Sequence, residues 1–498
     1  MNAFDYFFKT SRSLDKNFVI GPEEEASFKE IYEDSLRIAD YLRSVIGQEK
    51  NILLIANNSV FFIKVYLAIL KSGNICVPVN PLTEQKTIDF ITDVTKSKYV
   101  FQSESPPFNK KLDGVIKVSD ADIKVLRQRQ LLNPKTISEN FDPDRTAEIL
   151  FTSGSTGTPK GVELSHRNLC SNTQAITEYL NLSSADIMSV VLPFSYCYGL
   201  SLLHTHLRVG GSLVLNNSFI FLGKVISDMK KYRCTGFAGV PSHFQILLRK
   251  AASFLGSKLP DLRFVTQAGG KLHDVFIREF LDGFPGVDFF TMYGQTEATA
   301  RLAYLSPALL PSKAGSVGKA IPGVVLMVVN DQFIPVRAGE IGEIIAKGDN
   351  IMKGYYNAPE ETKNVMTSGW LHTGDLATID SEGFIYIVGR KKDIIKVGGR
   401  RVSPREIEDV ILSVPGVIDC AIEGIYDDLL GEAIRASVVV TERCNRAKTE
   451  EKIRKTCIKN LSLYKVPQII CFEDALMLNP SGKKVIRISP NVQLSANP

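Results

Sequence analysis

The chain has 498 residues and is 44% hydrophobic, which is too long for one ordinary domain and apolar enough to bury a large core. Its 59 basic and 54 acidic residues leave a formal charge of +5, small for this length; that does not argue for a nucleic-acid protein, and a local basic groove or a polyanionic cofactor fits it equally well. The eight cysteines stand singly, with no metal-ligand or disulfide-scaffold spacing, so a reducing cytoplasmic setting is expected. The opening stretch MNAFDYFFKTSRSLDKN carries Asp5 early and lacks an apolar h-region, so no secretory signal is expected. The apolar tract Val60 to Leu70 holds Lys64 and is too short to span a bilayer, so no stable membrane insertion is expected.

In chain order, Ser27 and Glu30 form a capping-box pattern ahead of a helical stripe through Phe28, Ile31, Ile38, Leu42 and Val45. NILLIA from Asn51 reads as a buried strand, SVFFIKVYLAILKSG as a helix stopped at Gly73, and ICVPV from Ile75 as the next strand. This βαβ unit implies a parallel sheet, and similar alternation continues to about residue 330. Residues 102–145 are polar and suggest surface structure with a short strand or two. His204 and His206 are the close pair among six histidines. Their spacing, read on a strand, puts both on one side, yet no ligand partner stands nearby and no metal is expected there. From Ile341, short strands with Gly turns suggest antiparallel pairing. After the charged run Arg390 to Asp393 the pattern changes again: SPREIEDVILSV starts a helix, two strands and a second helix follow, and a short strand comes after Pro467. The fold class expected is α/β with mixed sheets. A large N-terminal part spans 1–389, a linker 390–393 and a small α+β part 394–498.

The strongest chemical signal is ILFTSGSTGTPKGVELSHRNL at 149–169. A strand runs into Thr152, Ser153, Gly154, Ser155, Thr156, Gly157, Thr158, Pro159 and Lys160, and a helix pattern follows. Glycines allow a tight turn whose N–H groups face phosphate oxygens, and the hydroxyls and Lys160 add donors and charge. The pattern GxxxxGK[ST] is absent, so this is not the usual P-loop.

With YGQTEAT at 293–299, TGDL at 373–376, GRKKDIIKVGGRRVSPREIE at 389–408 and PSGKKVIR at 480–487, the chain resembles the adenylate-forming superfamily over nearly its whole length. That superfamily contains acyl-CoA synthetases (the AMP-dependent synthetase and ligase family), firefly luciferase and peptide-synthetase adenylation domains. The resemblance implies a large adenylation domain and a small, mobile C-terminal domain. It also implies the reaction: ATP-dependent activation of a carboxylic acid to acyl-AMP with pyrophosphate release, then acyl transfer to a thiol. It implies ATP and Mg²⁺ as cofactors, with Glu297 holding the metal and Thr296 contacting the phosphate region. Asp375 would bind the ribose hydroxyls and Arg390 ribose or phosphate. Ala268, Gly269 and Gly270 would lie over adenine, with Tyr293 on the other face and Gly294 and Gln295 beside it. Lys483 would bridge carboxylate and α-phosphate, with Lys484 the adjacent alternative. Lys392 would be the hinge, and Arg401, with Arg400 beside it, would lie near the phosphates. Gly398 and Gly399 would flank a pantetheine arm.

The acyl pocket is expected near Phe194, Tyr196, Tyr198, Phe237, Ala238, Gly239 and His243. Tyr196 stands where many acyl-CoA synthetases carry histidine. Amino-acid-activating members place an aspartate near the position of Phe237 to Gly239. None stands here, and an unpaired buried ammonium would cost several kcal/mol, so the acid is expected to lack an α-amino group. Coenzyme A is the expected acceptor, with the phosphopantetheine arm of an acyl carrier protein as the alternative. A luciferase-like oxygenase has no supporting substrate signal. A non-enzymatic nucleotide-binding module would have no reason to keep Lys483, Glu297 and Asp375 together. A nucleic-acid ligase would need a KxDG setting that is absent.

Overall fold

The structure, a computed structural model, describes residues 1–103, 116–119, 121–122, 141–152, 158–219, 221–251, 254–427, 429–441 and 444–477. The βαβ unit read from residues 51–79 is present. Strands Asn51–Ile55 and Ile75–Val79 pair in parallel, and helix Val60–Ser72 carries the chain between them. Ser59 caps that helix by accepting from the Phe62 N–H, and Gly73 ends it at φ 80°, a left-handed state that glycine takes without penalty. The helix is apolar on nearly every face and correspondingly buried. Of its two cations, Lys71 pairs with Asp5, and Lys64 is held by Glu30 at 2.9 Å and Asp34 at 2.8 Å from the preceding helix Phe28–Val45. Ser27 caps that preceding helix, accepting from the Glu30 N–H at 3.1 Å, a contact of about 1 kcal/mol.

Among the described residues the strands form four sheets. The βαβ unit belongs to a sheet extended in parallel by Tyr99–Gln102 and Ile116–Val118. On its other side it is extended by Thr146–Thr152, to which Lys160–Ser165 is antiparallel. Of the polar stretch 102–145, Ile116–Val118 is the strand that falls within the described residues. The second sheet has a parallel centre of Ser212–Leu215, Ile187–Val190, Gly236–Gly239, Phe264–Gln267 and Asp288–Tyr293. Parallel pairing brings the carboxyl ends of the last strands side by side, where open α/β sheets place ligands. The third sheet is antiparallel, as the Gly-turn pattern implied, and its hairpin Trp370–Ile379 with Ile385–Arg390 reaches back to that edge. The fourth holds Ile395–Val397, Arg400–Val402, Val417–Asp427, Gly431–Val440 and Ile469–Glu473, with helices Pro404–Leu412 and Arg446–Asn460 beside it. Residues 391–394 join it to the third sheet. Across this junction the Ser403 hydroxyl donates to Val388 O at 2.6 Å, and Lys271 pairs with Asp409 at 2.5 Å. Among the described residues no helix is long and apolar enough to cross a membrane.

One expectation needs correction. His204 and His206 lie in helix Cys197–Val209, not on a strand. The helix is buried on almost all sides, so its apolar pattern carries no clear period. Two residues apart on a helix, the rings diverge: His204 Nε2 is 2.7 Å from the Tyr66 hydroxyl, while His206 Nδ1 is 2.9 Å from Leu202 O. Burial pushes the first down to about 3 and the second to about 4, so both rings are neutral at neutral pH.

Candidate active site

Two cavities meet at the carboxyl ends of Phe264–Gln267 and Asp288–Tyr293. The larger, about 820 Å³, is lined by Gly269, Gly270, Tyr293, Gly294, Asp375 and Arg390, with Arg405 entering from helix Pro404–Leu412. Gly269 sits at φ 86°, and the Gln267 amide closes its turn by donating to Gly270 O at 2.8 Å. At Gly294 a Cβ would stand 2.0 Å from Ala300 O, so the close return of the chain requires glycine there.

Asp375 faces Arg390 directly across the antiparallel hairpin. Its side chain is buried, and its two oxygens take different partners: Oδ1 forms an ion pair with Arg390 Nε at 3.1 Å, and Oδ2 accepts from the Tyr293 hydroxyl at 2.7 Å. Burial, reinforced by the Asp375 charge, pushes the Tyr293 phenol well above its usual range, so it remains a neutral donor. Asp375 pulls the Arg390 guanidinium up in turn. Three residues from three motifs are thus joined on the cavity wall by one hydrogen bond and one ion pair.

The second cavity, about 470 Å³, is lined by Tyr196, Cys197, Tyr198, Ala268, Gln295, Thr296 and Arg301, and shares Gly269 and Gly294 with the first. The Cys197 sulfur lies 3.5 Å from the Thr296 hydroxyl. Sequence reasoning missed Arg301; its signal was a charged residue four positions after Glu297 in an otherwise apolar run.

Lys160 and Glu297 meet around Tyr355. The Tyr355 hydroxyl donates to Glu297 Oε1 at 2.9 Å, and the Lys160 ammonium lies 5.0 Å from the Tyr355 ring centroid while pairing with Glu361 at 2.7 Å. Burial and the Glu297 charge drive the Tyr355 phenol far upward. Tyr355 was also missed; it reaches the site because Gly354–Tyr355 pairs with Lys160–Ser165, Tyr355 opposite Val162. Thr152 donates to Lys160 O at 3.5 Å, and Thr158 lines a shallow depression with Lys160 and Tyr355. Ser153, Gly154, Ser155, Thr156, Gly157, Lys483 and Lys484 lie outside the described residues. Among the described residues no three His, Cys, Asp or Glu side chains gather to hold a metal. Glu297 offers a single carboxylate, a donor set that suits Mg²⁺ when phosphate oxygens complete its shell.

Several expected pocket residues sit elsewhere. Phe237 packs with Phe244 and Phe219, and His243 lies against Phe219 with its ring centroid 4.3 Å away. Phe194 packs in the core at a tilt against Phe62. Along Gly236–Gly239 side chains alternate, so Phe237 joins one apolar cluster while Ala238 joins the other. Val240 continues the Ala238 face and lines the second cavity. Gly398 and Gly399, at φ 55° and 75°, form the two-residue turn between Val397 and its partner Arg400, a geometry that demands two left-handed residues. Arg401 is exposed opposite Lys396, Arg400 lies over the Tyr464 ring, and Lys392 is exposed between the sheets.

Joined cavities at the carboxyl edge of a parallel sheet, a buried carboxylate braced by phenol and guanidinium, and a small α+β unit against them define a two-part nucleotide-binding enzyme. Residues 8–356 match the AMP-binding enzyme family and residues 406–483 the AMP-binding enzyme C-terminal domain; the chain belongs to this family. It is 32% identical to an oxalate–CoA ligase of Arabidopsis thaliana over 86% of both chains. It is 29% identical to a 2-succinylbenzoate–CoA ligase of Bacillus cereus over 93% of both. Among solved structures, an anthranilate CoA ligase in complex with anthranoyl-AMP superposes with a TM-score of 0.90 at 22% identity, covering 97% of this chain and 95% of that one.

Proposed function

We propose that the protein activates a small carboxylic acid lacking an α-amino group with ATP, releasing pyrophosphate and forming acyl-AMP, and then passes the acyl group to coenzyme A. The observation that carries this reading is the junction of the two cavities at Gly269 and Gly294, with Thr296 beside it. An acid in the smaller cavity and a nucleotide in the larger would bring carboxylate and α-phosphate together there, and positioning of this kind removes much of the entropic barrier. Asp375 and Arg390 would hold the ribose side, Gly269 and Gly270 would admit the flat base, and Lys160 would meet phosphate oxygens once released from Glu361. Glu297 would hold Mg²⁺, which supplies neutralisation of phosphate charge. Coenzyme A is favoured as acceptor by the names of the relatives; carrier-bound phosphopantetheine would use the same chemistry. All eight cysteines are free, which supports a reducing compartment.

The test is acid-dependent ATP–pyrophosphate exchange over a panel of acids, followed by thioester assays with coenzyme A and with a carrier protein. AMP and pyrophosphate are the expected products; ADP and phosphate as primary products would overturn the reading. Each α-amino acid is expected to react at least about tenfold more slowly than its deamino counterpart, because desolvation of an unpaired ammonium is worth at least that factor. An α-amino acid that outpaces its partner would show that a carboxylate elsewhere reaches the cavity.

The hinge at Lys392 belongs to the same proposal, since the C-terminal part must leave the adenylation pose before a thiol attacks. Limited proteolysis is expected to cut within the exposed run Lys391 to Asp393, at rates that change with ATP and acid bound. A chain never cut there, with solution scattering unchanged by every ligand, would count against a moving domain.

A further inference from the structure

The chain leaving YGQTEAT doubles back beneath Gly294 through a strained turn. Thr299 takes φ 65°, unusual for a β-branched residue, and is buried with its hydroxyl donating to Asn350 O at 2.7 Å. The Asn350 amide donates to Arg301 O at 2.8 Å, and the Asn172 amide donates to the same oxygen at 3.2 Å. Two asparagines from distant segments therefore clamp the backbone of Arg301. A side chain held this way is preorganised before any ligand arrives.

Arg301 lines the second cavity and is only 2% exposed. Its guanidinium lies 4.0 Å from the Tyr198 ring centroid, Nε is 3.3 Å from Met292 Sδ, and Nη1 donates to Ala300 O at 3.3 Å. Among the described residues none of its hydrogen bonds or ion pairs is with a carboxylate. Arginine cannot shed its charge, so this cation has left water for a ring face, a sulfur, a carbonyl and the Tyr179 hydroxyl without meeting an anion among the described residues. The Gln295 amide nitrogen, in the lining of the same cavity, is buried and also lacks an acceptor among the described residues. Two other buried charges are paired: Lys64 has two acids and Asp375 its arginine.

Resting on the ligase reading above, we propose that the substrate is a short dicarboxylic acid. One carboxylate is adenylated at the junction beside Thr296, and Arg301 binds the other. The planar fork of a guanidinium matches a carboxylate, and the second cavity is the smaller of the two, which favours a short diacid over a long acyl chain. Arg301 is thus a specificity residue, separate from the groups that hold the nucleotide.

The test compares matched pairs of acids, succinate with butyrate, glutarate with valerate and phthalate with benzoate, by pyrophosphate exchange. Wild type is expected to prefer the diacid by at least about tenfold in one or more pairs. Arg301→Met should lower kcat/KM for that diacid by about 10²-fold, chiefly through KM, with the monoacid and the KM for ATP little changed. Arg301→Lys, which keeps charge but loses the fork, should fall between. If the Met variant does not fold, the wild-type pairs and the Lys variant decide. Wild type preferring the monoacid in every pair overturns the proposal, as does Arg301→Met slowing both members of the preferred pair equally; the latter is the signature of a merely structural stack on Tyr198. Wild type giving no exchange with any acid would overturn the ligase reading and this inference with it, whereas exchange without diacid preference overturns this inference alone.

Discussion

Asp375→Ala is expected to reduce acid-dependent pyrophosphate exchange by about 10²-fold or more and to cost about 1–3 kcal/mol of stability. Both effects follow from one buried carboxylate serving the fold and the proposed ribose contact together. The substitution leaves the Tyr293 hydroxyl, which now donates at 2.7 Å, without an acceptor in an interior where water does not replace it. Arg390 adds little to the stability loss, because its side chain is 43% exposed and regains water. Asp375→Asn separates the two roles. The amide oxygen still accepts from Tyr293, so stability should largely return. The side chain then lacks the paired anionic acceptors that match a cis-diol, so nucleotide affinity should stay low. Denaturant melts and calorimetric nucleotide titrations of both variants check this. An Ala variant that loses stability yet binds nucleotide normally would make Asp375 a latch for Tyr293 and Arg390 and nothing more.

Elements of the fold were legible where a local rule dominates. The helix Val60–Ser72 has a serine cap, an unbroken apolar run and a stop glycine, and all three act within a few residues. The hairpin carrying Asp375 and Arg390 and the helix opened by Ser403 and Pro404 are legible for the same reason. Partnerships across long separations are another matter. Tyr355 meets Glu297 because a two-residue strand joins the edge of the first sheet, and nothing within 58 positions of sequence announces that pairing. Phe237 illustrates a register effect. In a four-residue strand buried on both faces, composition does not say which face opens on a cavity, so the bulky residue reads as pocket while its neighbours supply the opening. Arg301 escaped notice because its meaning is what it lacks. An arginine in a sequence is presumed to find solvent or an acid, and its burial beside Tyr198 is visible only in three dimensions. Of the motif residues with the clearest chemical meaning, Asp375, Tyr293 and Arg390 gather on one cavity wall, and Lys160 and Glu297 meet around Tyr355, because motifs at strand ends are collected by the sheets that order those strands.

Lys483→Ala is expected to abolish nearly all acyl-AMP formation while largely sparing thioester formation from supplied acyl-AMP. Charge is the starting point. In the first half-reaction a carboxylate must approach an already anionic α-phosphate, and further negative charge builds on the phosphoryl oxygens as the bond forms. Arg390 lies in the wall of the larger cavity and is partly neutralised by Asp375, and Lys160 is engaged by Glu361. Arg301, in the reading above, is committed to the far end of the acid. A lysine delivered by the C-terminal part would supply an uncommitted cation between the two reacting groups, and removal of such a contact costs about 10²-fold or more. In the second half-reaction the phosphate departs and a thiol attacks a carbonyl. If the C-terminal part has by then turned about Lys392, this lysine is no longer near the reacting atoms, so its loss has little to act on. Lys484→Ala is the control and should leave both steps within a few-fold of wild type. Single-turnover kinetics of each half-reaction in both variants decide the matter. Equal damage to both steps in the Lys483 variant would refute the exchange of poses, and full damage from Lys484→Ala would move the role to the neighbouring residue.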